Sequence, residues 1–150
     1  MIYIINYGKG KRRGLSTLLE TLNVEFEIGA NEVRALKADK IILPDIASPE
    51  MALRRLSLMN LYSALKMFPR PVLGIGAGFL IMLEKCNGRS CLGFFPYSAQ
   101  FDEENDAWKI FDSEKNHLNQ TYFRNGRYFG ICNNDDELVN KAVRDFVDFE

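Results

Sequence analysis

Residues 71–80 read Pro-Val-Leu-Gly-Ile-Gly-Ala-Gly-Phe-Leu, an apolar run entering a turn with glycines at 74, 76 and 78. No other stretch restricts the fold as much. An apolar run this short, bounded by proline and glycine, suits a strand buried on both faces. The glycines remove the Cβ atoms that would hold an incoming strand and an outgoing helix apart. Phe79 to Lys85 then reads as a helix. A strand covered on both faces needs helices on both sides of its sheet, so the segment selects an α/β architecture.

The flanking sequence carries the same alternation. Ile2–Ile5 is a second apolar run, ending in the glycine-punctuated loop Asn6-Tyr7-Gly8-Lys9-Gly10. Leu15, Leu18, Leu19 and Leu22 fall on one face of a helix. Val24, Phe26 and Ile28 alternate with Glu25 and Glu27, as in a strand with one solvated face. Lys40-Ile-Ile-Leu-Pro44 is another strand, stopped by proline. Ser48-Pro49-Glu50 opens a helix: serine caps, proline fits the first helical position, and glutamate suits the positive end of the dipole. Leu53, Leu56, Met59 and Leu65 give this helix its apolar side, and it ends near Phe68-Pro69. The second half holds short strand-like runs within 91–111 and 121–132. Asp102–Asp106 and Asp112–Gln120 read as exposed loops, and Glu137–Phe149 as a closing helix. The chain has 150 residues without repeats or a separating linker, which predicts one domain over 1–150. The expected fold is three-layer α/β and flavodoxin-like. It has a mainly parallel sheet with helices on both faces and a reduced antiparallel second half.

Composition narrows the function. Nineteen basic and twenty acidic side chains leave a net charge of −1, which gives no pull towards nucleic acid or an acidic membrane. Three cysteines without a C-x-x-C spacing, and the single histidine His117, argue against a disulfide framework or a zinc site. No metal and no cofactor is expected. The N-terminus lacks a basic leader, and no apolar run reaches the roughly 18 residues of a membrane helix. A soluble cytoplasmic protein is the expectation.

The turn at 74–78 has the form that presents a nucleophile in hydrolases, with glycines two residues before and after the reacting side chain. Here the central position is Gly76, which has nothing to attack with. A turn without a ligand fits the same residues. A dinucleotide fingerprint would require glycine at Phe79.

With these motifs in order, the chain resembles the glutaminase subunit of imidazole glycerol phosphate synthase, one of the class I glutamine amidotransferases. The resemblance rests on Asn6-Tyr7-Gly8-Lys9-Gly10-Lys11 near the start, Ile42-Leu43-Pro44-Asp45 at a strand end, and Pro71–Leu80 at the elbow. Further along, Cys91-Leu92-Gly93-Phe94-Phe95-Pro96, Ala107-Trp108-Lys109, Tyr122-Phe123-Arg124-Asn125-Gly126 and Phe129–Asp136 follow the family's order. The resemblance implies that Gly76, Asn134 and Asp136 stand where the family has its cysteine, histidine and glutamate. Asparagine takes up no proton near neutral pH, so it is no general base. Asp45 replaces a glycine beside the oxyanion hole, where a carboxylate opposes developing negative charge. Asp45, Gly74, Ala77 and Gly78 thus mark the former elbow and oxyanion region, and Leu80 stands where a glutamine-binding amide is usual. The implied function is a degenerate, catalytically inactive glutaminase acting as a binding or regulatory subunit, with a (β/α)8-barrel synthase as its partner.

Two other readings come from the residues. The loop Tyr7, Gly8, Lys9, Gly10, Lys11, Arg12 and Arg13 precedes a helix and, with the glycine turn, could bind a small anion or metabolite, or contact a partner protein, against the plainer reading of a solvated basic face. Cys132 lies near the former site and is a candidate for relocated chemistry, against the plainer reading of a small buried hydrophobe.

Overall fold

In the computed structural model the apolar runs pair side by side, as expected of strands buried on both faces. Residues 1–8, 13–133 and 135–150 are described, without the side chain of Arg13. The chain runs β1 (Ile2–Ile5), α1 (Arg13–Thr21), β2 (Phe26–Gly29), α2 (Glu32–Lys37), β3 (Lys40–Leu43), α3 (Pro49–Leu58), α4 (Leu61–Met67), β4 (Val72–Ile75) and α5 (Ala77–Leu80). It continues through β5 (Leu83–Cys86), β6 (Arg89–Ser90), β7 (Phe95–Asp102), β8 (Ala107–Phe111), β9 (His117–Leu118), β10 (Tyr122–Asn125), β11 (Tyr128–Ile131) and α6 (Asp136–Asp148).

The main sheet has the order β10-β11-β4-β3-β1-β2. Its β2-β1-β3-β4-β11 portion is all parallel, and β10 pairs antiparallel with β11. This is the flavodoxin-like strand order, which reverses direction of growth between β1 and β3. Alternate side chains feed two cores. Ile2, Ile4, Ile42, Leu73 and Ile75 pack with Leu15 and Leu19 of α1 and with Val143 and Phe146 of α6. Tyr3, Ile5, Ile41 and Leu43 point the other way, towards Ala52 and Leu56 of α3 and Leu61 and Leu65 of α4. The end of α6 is fastened to the sheet by Lys40, whose Nζ donates to the carbonyls of Phe146, Val147 and Phe149 at 2.7, 2.8 and 2.6 Å. A second sheet, β6-β5-β7-β8-β9, holds the short strands of the second half; only its β5–β7 pair is parallel.

The structure corrects three sequence expectations and adds one element. The helix expected from Ser48 to Phe68 is two helices, because Asn60 takes φ 59° between α3 and α4; asparagine tolerates that left-handed conformation. The helix expected over Phe79–Lys85 is only the single turn α5. Its would-be continuation loses its carbonyls to the 92–95 segment: Leu92 N donates to Ile81 O, Gly93 N to Leu83 O, and Phe94 and Phe95 N to Met82 O. Residues 83–86 are then free to pair with β7. The expected loop at 112–120 contains β9, which pairs with β8. Finally, α2 was not anticipated; Asn31 caps it by accepting from Arg34 N at 3.0 Å.

Candidate functional site at the carboxyl edge of the main sheet

Because β1, β3, β4 and β11 are parallel, the segments that follow them all emerge at one edge of the sheet. Tyr7 and Gly8 follow β1, Pro44 and Asp45 follow β3, Gly76 follows β4, and Cys132 follows β11. The topology therefore gathers most of the residues singled out in the sequence. Lys9, Gly10, Lys11, Arg12, the Arg13 side chain and Asn134 lie outside the described residues.

The turn itself is a tight strand-to-helix elbow. Gly76 adopts φ 57°, ψ −121°, a region that side-chain-bearing residues rarely occupy. Its N–H donates to Ile131 O at 2.8 Å, and its carbonyl accepts from Phe79 and Leu80 N at 3.0 and 3.1 Å. The flanking glycines are demanded by close approach. A Cβ on Gly78 would sit 2.1 Å from Leu43 O, and one on Gly74 would sit 2.4 Å from Met82 Sδ and 2.7 Å from Gly78 O. The strand–helix spacing at the elbow is thus set by the absence of side chains.

Asp45 fills the space above the turn. A Cβ added to Gly76 would lie 2.3 Å from Asp45 Oδ1 and 2.5 Å from its Cγ. The same Oδ1 accepts from Ala77 N at 2.8 Å and from Ile46 N at 3.0 Å. An elbow of this form aims two backbone donors at an oxyanion: the N–H after the nucleophile position and one from the loop after a neighbouring strand. Both kinds of donor are held here by one carboxylate oxygen of the protein itself. Tyr7 braces the arrangement from below. Its buried hydroxyl donates to Pro44 O, tying the β1 loop to the β3 loop. Burial, and then the nearby Asp45 charge, push the Tyr7 phenol well above its ordinary range, so it stays protonated as a donor.

The other candidates are less organised. Asp136 is exposed in the first turn of α6, where a carboxylate suits the helix dipole. Leu80 is buried in the core. His117 sits exposed on β9, at the edge of the second sheet, with its ring 5.6 Å from that of Phe111. Burial pushes the Cys86 thiol up to about 12 and the Cys91 thiol up to about 11. Burial also raises Cys132, with hydrogen bonds to its own backbone and Thr121 acting the other way. Thiols held up in this way supply little thiolate. Iodoacetamide near pH 7 is therefore expected to label none of the three faster than it labels free cysteine. Faster labelling of Cys132 would revive it as a nucleophile.

One feature of this edge was missed in the sequence. A cleft of about 540 Å³ lies between the β1 loop and α3, lined by Asn6, Tyr7, Gly8, Met51, Arg54, Arg55, Leu58 and Met59. The Arg54-Arg55 pair is visible in the sequence, but only the tertiary fold brings it to Gly8. Among the described residues, no group of histidine, cysteine and carboxylate side chains could hold a metal ion, and no helix is long and apolar enough to cross a membrane.

Known proteins share this architecture. A crystal structure of a glutamine amidotransferase superposes with a TM-score of 0.73 at 11% identity, over 98% of this chain and 97% of that one. The fold is thus that of the glutamine amidotransferases. In sequence, the chain is 31% identical over 90 residues to imidazole glycerol phosphate synthase subunit HisH of Listeria welshimeri, covering 58% of this chain and 43% of that protein. It is 26% identical over 137 residues to the same subunit of Bacillus cereus, covering 89% of this chain and 63% of the relative. No model of a known protein family matches. In fold the chain is similar to glutamine amidotransferases, and in sequence it is similar to the HisH subunit of imidazole glycerol phosphate synthase. It covers less than two thirds of these curated relatives' own length.

Proposed function

We propose that this chain is a pseudo-glutaminase: a glutamine amidotransferase-like protein that does not hydrolyse glutamine and serves as a binding or regulatory subunit. The observation that carries the reading is Asp45. Its carboxylate stands where a side chain on Gly76 would begin, and it accepts from both Ala77 N and Ile46 N. An acyl intermediate needs a nucleophile on the turn and free donors for its oxyanion. Gly76 offers no nucleophile, and a fixed negative charge already takes the donors. The names of the relatives favour a synthase subunit as partner; on the resemblance noted above, this would be a (β/α)8 barrel.

The test is ammonia release from glutamine by the purified chain, alone and with the barrel subunit of a synthase. Release is expected at the rate of buffer in both cases, together with co-elution of the two proteins on gel filtration at micromolar concentration. Ammonia release that survives removal of contaminating enzymes would refute the inactive reading. If Cys132→Ser abolished that release, the chemistry would have moved to Cys132. Separate elution of the two proteins would refute the synthase as partner.

A further inference from the structure

We propose that the cleft between the β1 loop and α3 binds a small organic oxyanion, a phosphate monoester or carboxylate joined to an apolar body. Three independent features of the structure point there. The first is position. The cleft opens on Asn6, Tyr7 and Gly8, directly after β1, and the strand order reverses between β1 and its neighbour β3. In open parallel sheets, the loops at such a reversal diverge to opposite faces and leave a crevice at the carboxyl ends of the strands.

The second feature is charge. Among the described residues, Arg54 and Arg55 line the cleft and no acidic side chain does. Among the described residues, neither guanidinium is ion-paired. Arg55 lies against the β1 loop: a Cβ on Gly8 would be 3.3 Å from its Nη1. A guanidinium presents several N–H donors in one plane, which matches the oxygens of a carboxylate or phosphate. Gly8 also has φ 148°, and a Cβ there would meet Ile46 Cδ1 at 2.8 Å. Glycine at this position keeps the backbone low and the cleft open.

The third feature is the apolar wall. Met51, Leu58 and Met59 complete the lining, and Leu58 is 76% exposed. Methionines adapt to varied apolar shapes, and an exposed leucine gains by being covered. The volume of about 540 Å³ is within the range of small-molecule sites. An inorganic ion alone would leave this wall bare. The inference stands apart from the elbow, because the cleft contains neither Gly76 nor Asp45. Glutamine hydrolysis by this chain would overturn the pseudo-glutaminase reading and leave the cleft untouched.

The experiment is titration of the full chain, followed by calorimetry and NMR shifts, with phenyl phosphate, 3-phenylpropionate, inorganic phosphate and benzylamine. At least one of the two aromatic anions is expected to saturate, about tenfold or more tighter than inorganic phosphate and benzylamine. Which one saturates identifies the head group as phosphate or carboxylate. Arg54→Gln combined with Arg55→Gln is expected to weaken binding about tenfold or more, while Arg144→Gln on the exposed face of α6 leaves it unchanged. Both side chains are exposed, so the variants should fold, which circular dichroism checks. No saturation by either aromatic anion up to about 10 mM would overturn the proposal. So would equal affinity for benzylamine or inorganic phosphate, or undiminished binding by the double variant.

Discussion

Gly78→Ala is expected to destabilise the protein by about 4 kcal/mol, or to leave it unable to fold, although it adds one methyl group. Most overpacking substitutions cost about 1–3 kcal/mol because a flexible side chain moves aside. Here the obstacle is backbone. The new Cβ would stand 2.1 Å from Leu43 O and 2.9 Å from Pro44 O. Those carbonyls belong to the end of β3 and the loop after it, with β1 on one side of the strand and β4 on the other. To make room, α5 would have to lift off the sheet, which would break the stacking of Phe79 on Phe123 at 4.9 Å between centroids. Urea denaturation measures the loss. Gly14→Ala is the control: its Cβ meets nothing within 4 Å in α1, so the change is expected to stabilise by about 0.5–1 kcal/mol. A Gly78→Ala midpoint equal to that of the parent chain would mean that α5 does not lie as close to β3 as described.

The second large effect is a coupling between Gly76 and Asp45. Gly76→Cys alone is expected to cost about 2–4 kcal/mol, since a side chain at φ 57° is strained and its Cβ meets the Asp45 carboxylate. Asp45→Gly alone is expected to cost about 2 kcal/mol, by leaving Ala77 N and Ile46 N without their acceptor. Together the changes are expected to cost less than their sum by about 1 kcal/mol or more, because removing the Asp45 carboxylate vacates the volume that the new thiol side chain would need. A double-mutant cycle in urea reads this directly. Additivity within about 0.5 kcal/mol would show that the carboxylate does not fill the turn. On the pseudo-glutaminase reading, the double variant releases no ammonia either, since a restored thiol would still lack the histidine that activates it.

How far the sequence led can be seen from particular elements. The strands β1, β3 and β4 were legible because each is a short apolar run closed by glycine, proline or a polar loop. The cap Ser48 was legible because serine, proline and glutamate occur in the order a helix start requires; Ser48 Oγ accepts from Met51 N at 3.1 Å. The early end of α5 was not legible. Residues 81–83 carry an ordinary apolar pattern, and what stops the helix is capture of their carbonyls by a segment about ten residues later. The site divided the same way. Gly76 and Asp45 could be singled out as departures from the amidotransferase pattern, and the carboxylate was expected to oppose an oxyanion. That it closes on Ala77 N and Ile46 N, in the volume above Gly76, required coordinates.

The sequence by itself determined the local periods: apolar runs that must be covered on both faces, amphipathic helices between them, and glycines where no side chain can fit. Those are properties of neighbouring residues and need no knowledge of distant ones. The tertiary structure alone decided which loops share the carboxyl edge of the sheet. Strand order is fixed by long-range pairing, and it sets Asp45 over a turn 31 residues later and Arg55 beside Gly8. Hydrogen bonding and charge act over a few ångströms, so the chemistry of this edge came into being only when the sheet was assembled.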